Sequence, residues 1–207
     1  MLEKLINGLH KFQTEVFPIQ KDFFQELTKG QNPDILFVSC SDSRINPHLV
    51  TSADPGDLFI LRNAGNIIPT YSTQGGEAAT IEFAVYELKV KHIIVCGHSH
   101  CGAINAVFNI DALTNQPSFA SWIDTHISPT LNLVRSNYPG IENSSLTSIL
   151  LQEHVLQQIE NLKTHPAVTY ATARHELTLH AWVYEFEHGD ISAYNLQNGQ
   201  FEQIKHF

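Results

Sequence analysis

Two short polar clusters contain the residue types that could do chemistry in this sequence. The first reads Cys40-Ser41-Asp42-Ser43-Arg44, and the second reads Gly97-His98-Ser99-His100-Cys101-Gly102. Two thiolates and one imidazole form a borderline-soft ligand set that suits Zn²⁺, and three protein ligands leave the fourth tetrahedral position for water, as in catalytic zinc sites. We therefore predict a zinc site, with one ion per subunit, on Cys40, His98 and Cys101.

Each cluster also has an interpretation without this chemistry. Lone cysteines inside a protein are commonly inert small hydrophobes, and Asp42 with Arg44 could be an ordinary solvated ion pair. An arginine held bidentately to Asp42 would instead keep that carboxylate ionised and oriented, so that it could accept a hydrogen bond from zinc-bound hydroxide. A free Asp42 could coordinate the zinc itself and close the site. The sequence leaves both forms open.

The polar clusters follow short apolar runs that are typical of parallel strands buried on both faces. These runs lie at residues 35–38, 58–61 and 93–96. In open parallel sheets, ligands bind beyond the carboxyl ends of the strands, and both clusters lie there. Adjacent strands would bring Cys40 close to His98 and Cys101, whereas Cys96 lies inside its run and is expected to be a packing residue.

Helical periodicity accounts for most of the remaining chain. It predicts helical segments at residues 2–16, before Pro18, then up to Gly30, and at residues 77–89, 118–136 and 145–163. Residues 179–186 alternate like a strand and turn into residues 191–194, which predicts a terminal hairpin. The predicted fold is α/β: a mainly parallel central β-sheet flanked by helices, with an N-terminal helical arm at residues 1–30 and a C-terminal hairpin. We expect one domain over residues 1–207.

Composition excludes several classes of protein. The 207 residues include 12 Lys plus Arg against 21 Asp plus Glu, a formal net charge of -9, whereas nucleic-acid and anionic-membrane partners favour a basic surface. Three cysteines cannot form a complete disulfide framework. The sequence has neither a signal-peptide pattern nor an apolar stretch near the roughly 20 residues that span a bilayer. We therefore expect a cytoplasmic protein with no nucleic-acid or membrane partner.

The chain resembles the β-class carbonic anhydrases, and within them the plant and cyanobacterial branch. The family's paired signature is Cys40-Ser41-Asp42-Ser43-Arg44 followed by His98-Ser99-His100-Cys101-Gly102, and the similarity extends through residues 55–59, 62–66, 75–77, 161–163 and 182–184. The resemblance implies that Cys40, His98 and Cys101 are the zinc ligands and that Asp42 and Arg44 form the catalytic pair.

The same resemblance implies a substrate pocket. Gln31 and Phe59 match pocket positions of the plant-like branch, Gly102 of the second motif is assigned to substrate binding with them, and Phe83 stands where relatives often have tyrosine. Because Phe83 has no phenolic hydroxyl, Gln31 would carry more of the polar contact. Another branch has tryptophan three residues before the first ligand cysteine and an allosteric bicarbonate pocket. Phe37 stands there in this chain, which argues against that regulation.

The resemblance also implies an assembly and a reaction. Family members form dimers, often paired into tetramers, so we expect a homodimer or a dimer of dimers in which residues 1–30 embrace the partner. The expected reaction is reversible hydration of CO₂ to bicarbonate and a proton: zinc lowers the pKa of its water toward about 7, and Asp42, anchored by Arg44, orients the hydroxide. Two alternatives keep the zinc, namely hydrolysis of carbonyl sulfide or carbon disulfide, and a non-catalytic protein with a closed four-ligand site.

Overall fold

The computed structural model describes residues 1–72 and 75–204, and the chain divides into two compact units, Met1–Asn32 and Pro33–Phe207. The first unit consists of helix α1 (Leu2–Lys11), a π-helical turn (Phe12–Val16) and helix α2 (Lys21–Leu27). None of the residues in these three elements is buried. The apolar stripe of α1 is between 45% and 70% exposed at Leu2, Leu5, Ile6 and Leu9. An apolar stripe of this kind is typical of a surface that packs against something else.

The second unit is built on one six-stranded sheet. Its strands are β1 (Ile35–Cys40), β2 (Leu58–Asn63), β3 (His92–His98), β4 (Thr178–Tyr184), β5 (Ile191–Asn195) and β6 (Gln200–Gln203). Their spatial order is β2-β1-β3-β4-β5-β6; the pairs among β1 to β4 are parallel, and β5 and β6 are added antiparallel. The predicted α/β fold, with a mainly parallel sheet and a C-terminal hairpin, is confirmed. The sequence did not predict β6, which extends the hairpin.

Both faces of the central strands are covered, because successive side chains of a strand point to opposite faces. Val38 and Val95 belong to the large core that contains residues of the helices, whereas Phe37 and Cys96 belong to a smaller cluster of their own. This double burial explains the uninterrupted apolar runs in the sequence. It also fixes Cys96 in the smaller cluster, as a packing residue.

Helices connect and cover the strands. They are α3 (Pro47–Thr51), α4 (Gly76–Glu82) with a π-helical continuation (Phe83–Glu87), α5 (Gly102–Ala106) with a 3₁₀ continuation (Val107–Ala112), α6 (Pro117–His126), α7 (Ser128–Asn137), α8 (Asn143–Leu162) and α9 (Pro166–Ala173). The segment predicted at residues 118–136 is divided into α6 and α7, because Pro129 has no N–H with which to continue the α6 ladder. Across residues 1–72 and 75–204, no helix is both long and apolar enough to cross a membrane.

Candidate active site

Three potential metal ligands meet at the carboxyl ends of β1 and β3. Cys40 is the last residue of β1, His98 is the last residue of β3, and these two strands are neighbours in the sheet. Cys101 immediately precedes α5. All three side chains are buried, their donor atoms lie within 4.8 Å of one another, and the two sulfurs are 3.9 Å apart. The parallel sheet thus brings together ligands that are distant in the sequence.

The backbone carbonyl of Ser99, the next residue, orients the ring of His98. Its Nδ1 lies 2.8 Å from the carbonyl oxygen of Ser99, and since a carbonyl can only accept, Nδ1 carries the proton. The lone pair of His98 is therefore on Nε2, which is fully buried and has no hydrogen-bond partner. A buried, unsatisfied imidazole nitrogen is costly unless a cation binds it. This nitrogen faces the two sulfurs.

The donor set fits a zinc ion. Zn–S bonds of about 2.3 Å in a tetrahedral site place two sulfurs about 3.8 Å apart, and the sulfurs of Cys40 and Cys101 are 3.9 Å apart. Among the described residues, these two cysteines and His98 form the one group of three or more potential ligands close enough to share an ion. Three protein ligands of this type are typical of a catalytic rather than a structural zinc site.

The two thiols interact strongly with each other. The hydrogen bond from Cys101 lowers the pKa of Cys40 to about 4, against the opposing effect of burial, and the bond from the Gly65 N–H lowers it further. The pKa of Cys101 is raised by the neighbouring Cys40 sulfur and by burial. Cys40 is therefore the first of the pair to become a thiolate. The Gly65 N–H donates to its sulfur at 3.3 Å.

Asp42 and Arg44 form a bidentate ion pair beside this group. Arg44 Nε donates to Asp42 Oδ1 at 2.9 Å, and Arg44 Nη2 donates to Asp42 Oδ2 at 2.7 Å. Hydrogen bonding to Arg44 holds the pKa of Asp42 well below its usual range. Asp42 Oδ2 lies 4.0 Å from His98 Nε2. An ionised carboxylate of fixed orientation therefore stands next to the potential metal position.

Two further side chains hold this pair in place. The guanidinium of Arg62 donates to three backbone carbonyls of the segment that carries Asp42, those of Cys40, Asp42 and Ile45. The ring of Phe186 lies 4.9 Å from the guanidinium carbon of Arg44 and 5.3 Å from the ring of His98. Cation–π contact and ring packing thus link the arginine to the histidine.

The predicted pocket residues occupy different places. Phe59 on β2 and Phe83 lie with their ring centroids 5.8 Å apart, and Phe83 is 44% exposed. Gly102 is the first residue of α5, directly after Cys101. Gln31 is exposed and belongs to the unit formed by Met1–Asn32. The structure thus brings the two phenylalanines together, while the substrate contacts of all four residues stay predictions.

Sequence reasoning missed Phe186 and Gly65. Phe186 lies just beyond β4, and its alternation with Tyr184 was visible but did not reveal the contact with Arg44. Gly65 has φ +88°, and a Cβ there would lie 3.0 Å from the Cβ of Ala103, so this position requires glycine. The sequence feature that could have drawn attention to Gly65 was its place within the motif of residues 62–66. His100, between His98 and Cys101, is exposed, and its ring bonds to Glu187.

Sequence reasoning also missed His154, a fully buried histidine on α8. Its Nε2 donates to the carbonyl of Gly65 at 2.8 Å, and its Nδ1 accepts from Gln158 at 3.3 Å. Burial lowers the pKa of His154 to about 4, although the Gly65 bond and the charge of Cys40 act in the opposite direction. His154 is therefore neutral in the folded protein at neutral pH.

The buried His154 predicts a pH dependence of stability. Because its folded pKa of about 4 lies below the unfolded value of about 6.5, the unfolded chain binds the proton first. The contribution is fully present above about pH 6.5 and is lost as the pH falls toward 4, by about 3 kcal/mol in total. Urea titrations at pH 7 and pH 4.5 should show a smaller loss for His154→Gln than for the parent chain. Equal losses would contradict the assignment.

Comparison with known proteins places this geometry in a family. A family model described as carbonic anhydrase matches residues 35–191. A carbonic anhydrase of Synechococcus elongatus is 44% identical over 192 residues, which cover 92% of this chain and 70% of the relative. The solved structure of the β-carbonic anhydrase CcaA matches with a TM-score of 0.94 at 41% identity, covering 98% of this chain and 99% of that one. One further solved chain, described under the structures of two tetrameric β-carbonic anhydrases of Sordaria macrospora, matches with a TM-score of 0.77 at 27% identity, covering 97% of this chain and 98% of that one.

The matched residues extend from the first residue of β1 to the first residue of β5. They include both polar clusters, the Gly65 loop and Phe186. Of the site residues predicted from the sequence, Gln31 alone lies outside the match. With this extent and this identity to the cyanobacterial enzyme, the chain belongs to the β-class carbonic anhydrases, the enzymes that catalyse the hydration of CO₂.

Proposed function

We propose that this carbonic anhydrase holds one zinc ion per subunit on Cys40, His98 and Cys101, and that Asp42, held by Arg44, orients the nucleophile that attacks CO₂. One observation carries the proposal: the arginine-bound carboxylate lies 4.0 Å from the buried His98 Nε2 that has no partner. An ordinary surface ion pair would not be expected beside a buried lone pair.

Each part of the site has a separate task in this proposal. When bound, zinc supplies the Lewis acidity that makes hydroxide available near pH 7. Asp42 accepts a hydrogen bond from that nucleophile and so fixes its direction. Arg44 prevents rotation of the Asp42 carboxylate, because it binds both carboxylate oxygens. Phe59 and Phe83 offer an apolar surface suited to CO₂, while Gln31 and Gly102 are proposed substrate contacts.

The ion pair also favours an open site over a closed one. Two charge-assisted bonds from Arg44 hold the Asp42 carboxylate and oppose its movement into the position of the fourth ligand. The backbone N–H of Arg44 donates a third bond to Asp42 Oδ1 at 3.0 Å. With three donors on one carboxylate, the geometry supports an Asp42 that orients rather than coordinates.

The proposed reaction can be tested directly. Stopped-flow measurement with zinc-loaded protein should show rapid CO₂ hydration, and the same preparation should be assayed with carbonyl sulfide and with carbon disulfide. Zinc-loaded protein that hydrates CO₂ no faster than buffer would contradict the proposal. Fourfold protein ligation of zinc at both neutral and alkaline pH, measured by X-ray absorption, would support the closed, non-catalytic alternative.

We propose further that residues 1–30 dimerise, in one domain with the rest of the chain, and that the enzyme is a homodimer or a dimer of dimers. The exposed apolar stripe of α1 supports this, since Leu2, Leu5, Ile6 and Leu9 have no buried neighbours within their own helix. The matched chain from Sordaria macrospora, described as a tetrameric enzyme, covers 97% of this chain. We propose a cytoplasmic location, which three unpaired cysteines support.

A charge on the stripe should weaken the dimer. Leu5→Asp places a carboxylate among apolar side chains, and its desolvation should weaken association about tenfold or more. Asn7→Asp is the matched control, because Asn7 lies on the opposite, polar side of α1. Analytical ultracentrifugation should show the shift toward monomer for the first variant and not for the second. Identical behaviour of the two variants would argue against the arm as the dimer contact.

A further inference from the structure

The loop after β2 brings one backbone N–H to the candidate metal site. The Gly65 N–H donates to the sulfur of Cys40 at 3.3 Å. The same glycine packs closely against Ala103 of α5, the helix that follows Cys101, so that an added Cβ would lie 3.0 Å from the Ala103 Cβ. The loop is therefore held between the segments that carry the two cysteines, and a small displacement would break the N–H···S bond.

Side chains bind nearly every carbonyl of this loop. Trp122 Nε1 donates to Ala64 at 2.9 Å, and His154 Nε2 donates to Gly65 at 2.8 Å. Three more side chains donate to carbonyls further along the loop. They are Asn63 to Ile67 at 2.7 Å, Asn161 to Ile68 at 2.7 Å and His165 to Pro69 at 2.9 Å. The carbonyls of Ala64 and Gly65, which accept the first two of these bonds, lie directly before and after the Gly65 N–H that donates to Cys40.

The bond from Trp122 acts on the same peptide group as that N–H. The Ala64 carbonyl and the Gly65 N–H are the two ends of one planar unit. A donor on the carbonyl fixes the plane and polarises the unit, which strengthens its N–H as a donor. The indole is held in turn by the ring of His126, with ring centroids 4.6 Å apart.

The bond from His154 fixes the next peptide group. With both flanking carbonyls bound, the backbone of Gly65 is confined at φ +88°, a conformation that glycine would otherwise leave easily. His154 is itself oriented by Gln158, whose amide nitrogen donates to Nδ1 and whose Oε1 accepts from the Ile68 N–H at 2.8 Å. A buried polar row on α8 thus supports the loop.

We propose that Trp122 and His154 are positioning residues for the metal ligand Cys40: they hold the Gly65 N–H on its sulfur and thereby tune the metal–thiolate bond. The proposal rests on the proposed function, in that Cys40 ligates the metal. Neither residue touches the metal position, and each acts through Gly65. Asn161 and His165 hold the same loop further along without reaching Cys40.

Two variants remove the bonds to the Gly65 peptides. Trp122→Phe keeps an aromatic ring against His126 but has no N–H, and His154→Leu keeps apolar bulk but has no donor. His154→Gln should restore the donor, because a glutamine amide reaches about as far as Nε2 of histidine. His165→Leu is the matched control: it also removes a buried histidine that binds a carbonyl of this loop.

The first readout uses the Co²⁺-loaded protein. Trp122→Phe and His154→Leu should shift the thiolate-to-cobalt charge-transfer band and accelerate metal release to a chelator by about tenfold to a hundredfold. His154→Gln and His165→Leu should retain the parent band. If the first two variants keep the parent band and release rate, or if His165→Leu changes them equally, the proposal is overturned.

The second readout needs no metal. In NMR spectra of the metal-free protein, the Gly65 amide proton should move upfield in Trp122→Phe and in His154→Leu, because it loses its hydrogen bond, and should stay in place in His165→Leu. An unchanged Gly65 resonance in Trp122→Phe and His154→Leu overturns the proposal. If the parent chain binds no Co²⁺ at all, the proposed function fails, and the Gly65 resonance decides the positioning role by itself.

Discussion

Replacing Cys101 by alanine should remove bound zinc and reduce CO₂ hydration to nearly the rate of buffer. Cys101 is buried beside Cys40, and its loss leaves one sulfur and one imidazole, too few ligands for a catalytic zinc site. Zinc content measured by mass spectrometry and hydration measured by stopped flow should fall together. Retained zinc with unchanged activity would contradict the ligand assignment.

Cys96 provides the matched control for that experiment. It is equally buried, but it belongs to the cluster with Phe37, and burial alone raises the pKa of its thiol to about 12. Cys96→Ala should therefore keep its zinc and its activity, at a cost of roughly 1 kcal/mol in the free energy of unfolding for the lost packing. Loss of zinc from Cys96→Ala as well would show that the experiment reports unfolding rather than ligation.

Arg44→Ala should lower kcat/KM for CO₂ by about a hundredfold or more while the zinc content stays at one ion per subunit. Without Arg44, the pKa of Asp42 should return toward about 4, which still leaves the carboxylate ionised at pH 7. The loss should therefore come from orientation, since Asp42 becomes free to rotate or to coordinate the zinc. A rate deficit of similar size from pH 6.5 to pH 8.5 would agree with this reason.

Arg174 offers a close comparison, because it pairs with a carboxylate two residues away, as Arg44 does. Its Nη2 lies 2.9 Å from Glu176 Oε1 in a pair that is about half exposed. Arg174→Ala should leave kcat/KM unchanged, as expected for an exposed pair. If Arg44→Ala loses its zinc, then Arg44 is needed to build the site, and its proposed catalytic role is wrong.

The parts of the fold and site that depend on local pattern could be predicted from the sequence. Continuous apolar runs predicted the central strands, and polar residues at the ends of two such runs predicted that Cys40 would lie near His98 and Cys101. Strand adjacency is enough for this, because parallel strands end at the same edge of the sheet.

The side chains that hold the site in place, such as His154, depend on tertiary packing and could not be predicted from local sequence pattern. Whether His154 reaches the Gly65 carbonyl depends on how α8 packs against a loop from a distant part of the chain. A weaker signal was present, since His154, Gln158 and Asn161 recur at helical spacing as a polar row. Buried polar side chains are expected to form hydrogen bonds with backbone groups, but their spacing in the sequence does not show which groups these are.

The contact of Phe186 has a consequence for how short a catalytically competent fragment can be. Phe186 lies in the connection between β4 and β5, yet it packs on both His98 and Arg44. Truncation at the end of β4 would keep Cys40, His98 and Cys101 and the Asp42–Arg44 pair but would delete the ring that packs on both His98 and Arg44. A fragment or domain graft meant to keep these contacts should therefore end beyond Phe186, in the connection to β5, and not at β4, the last parallel strand.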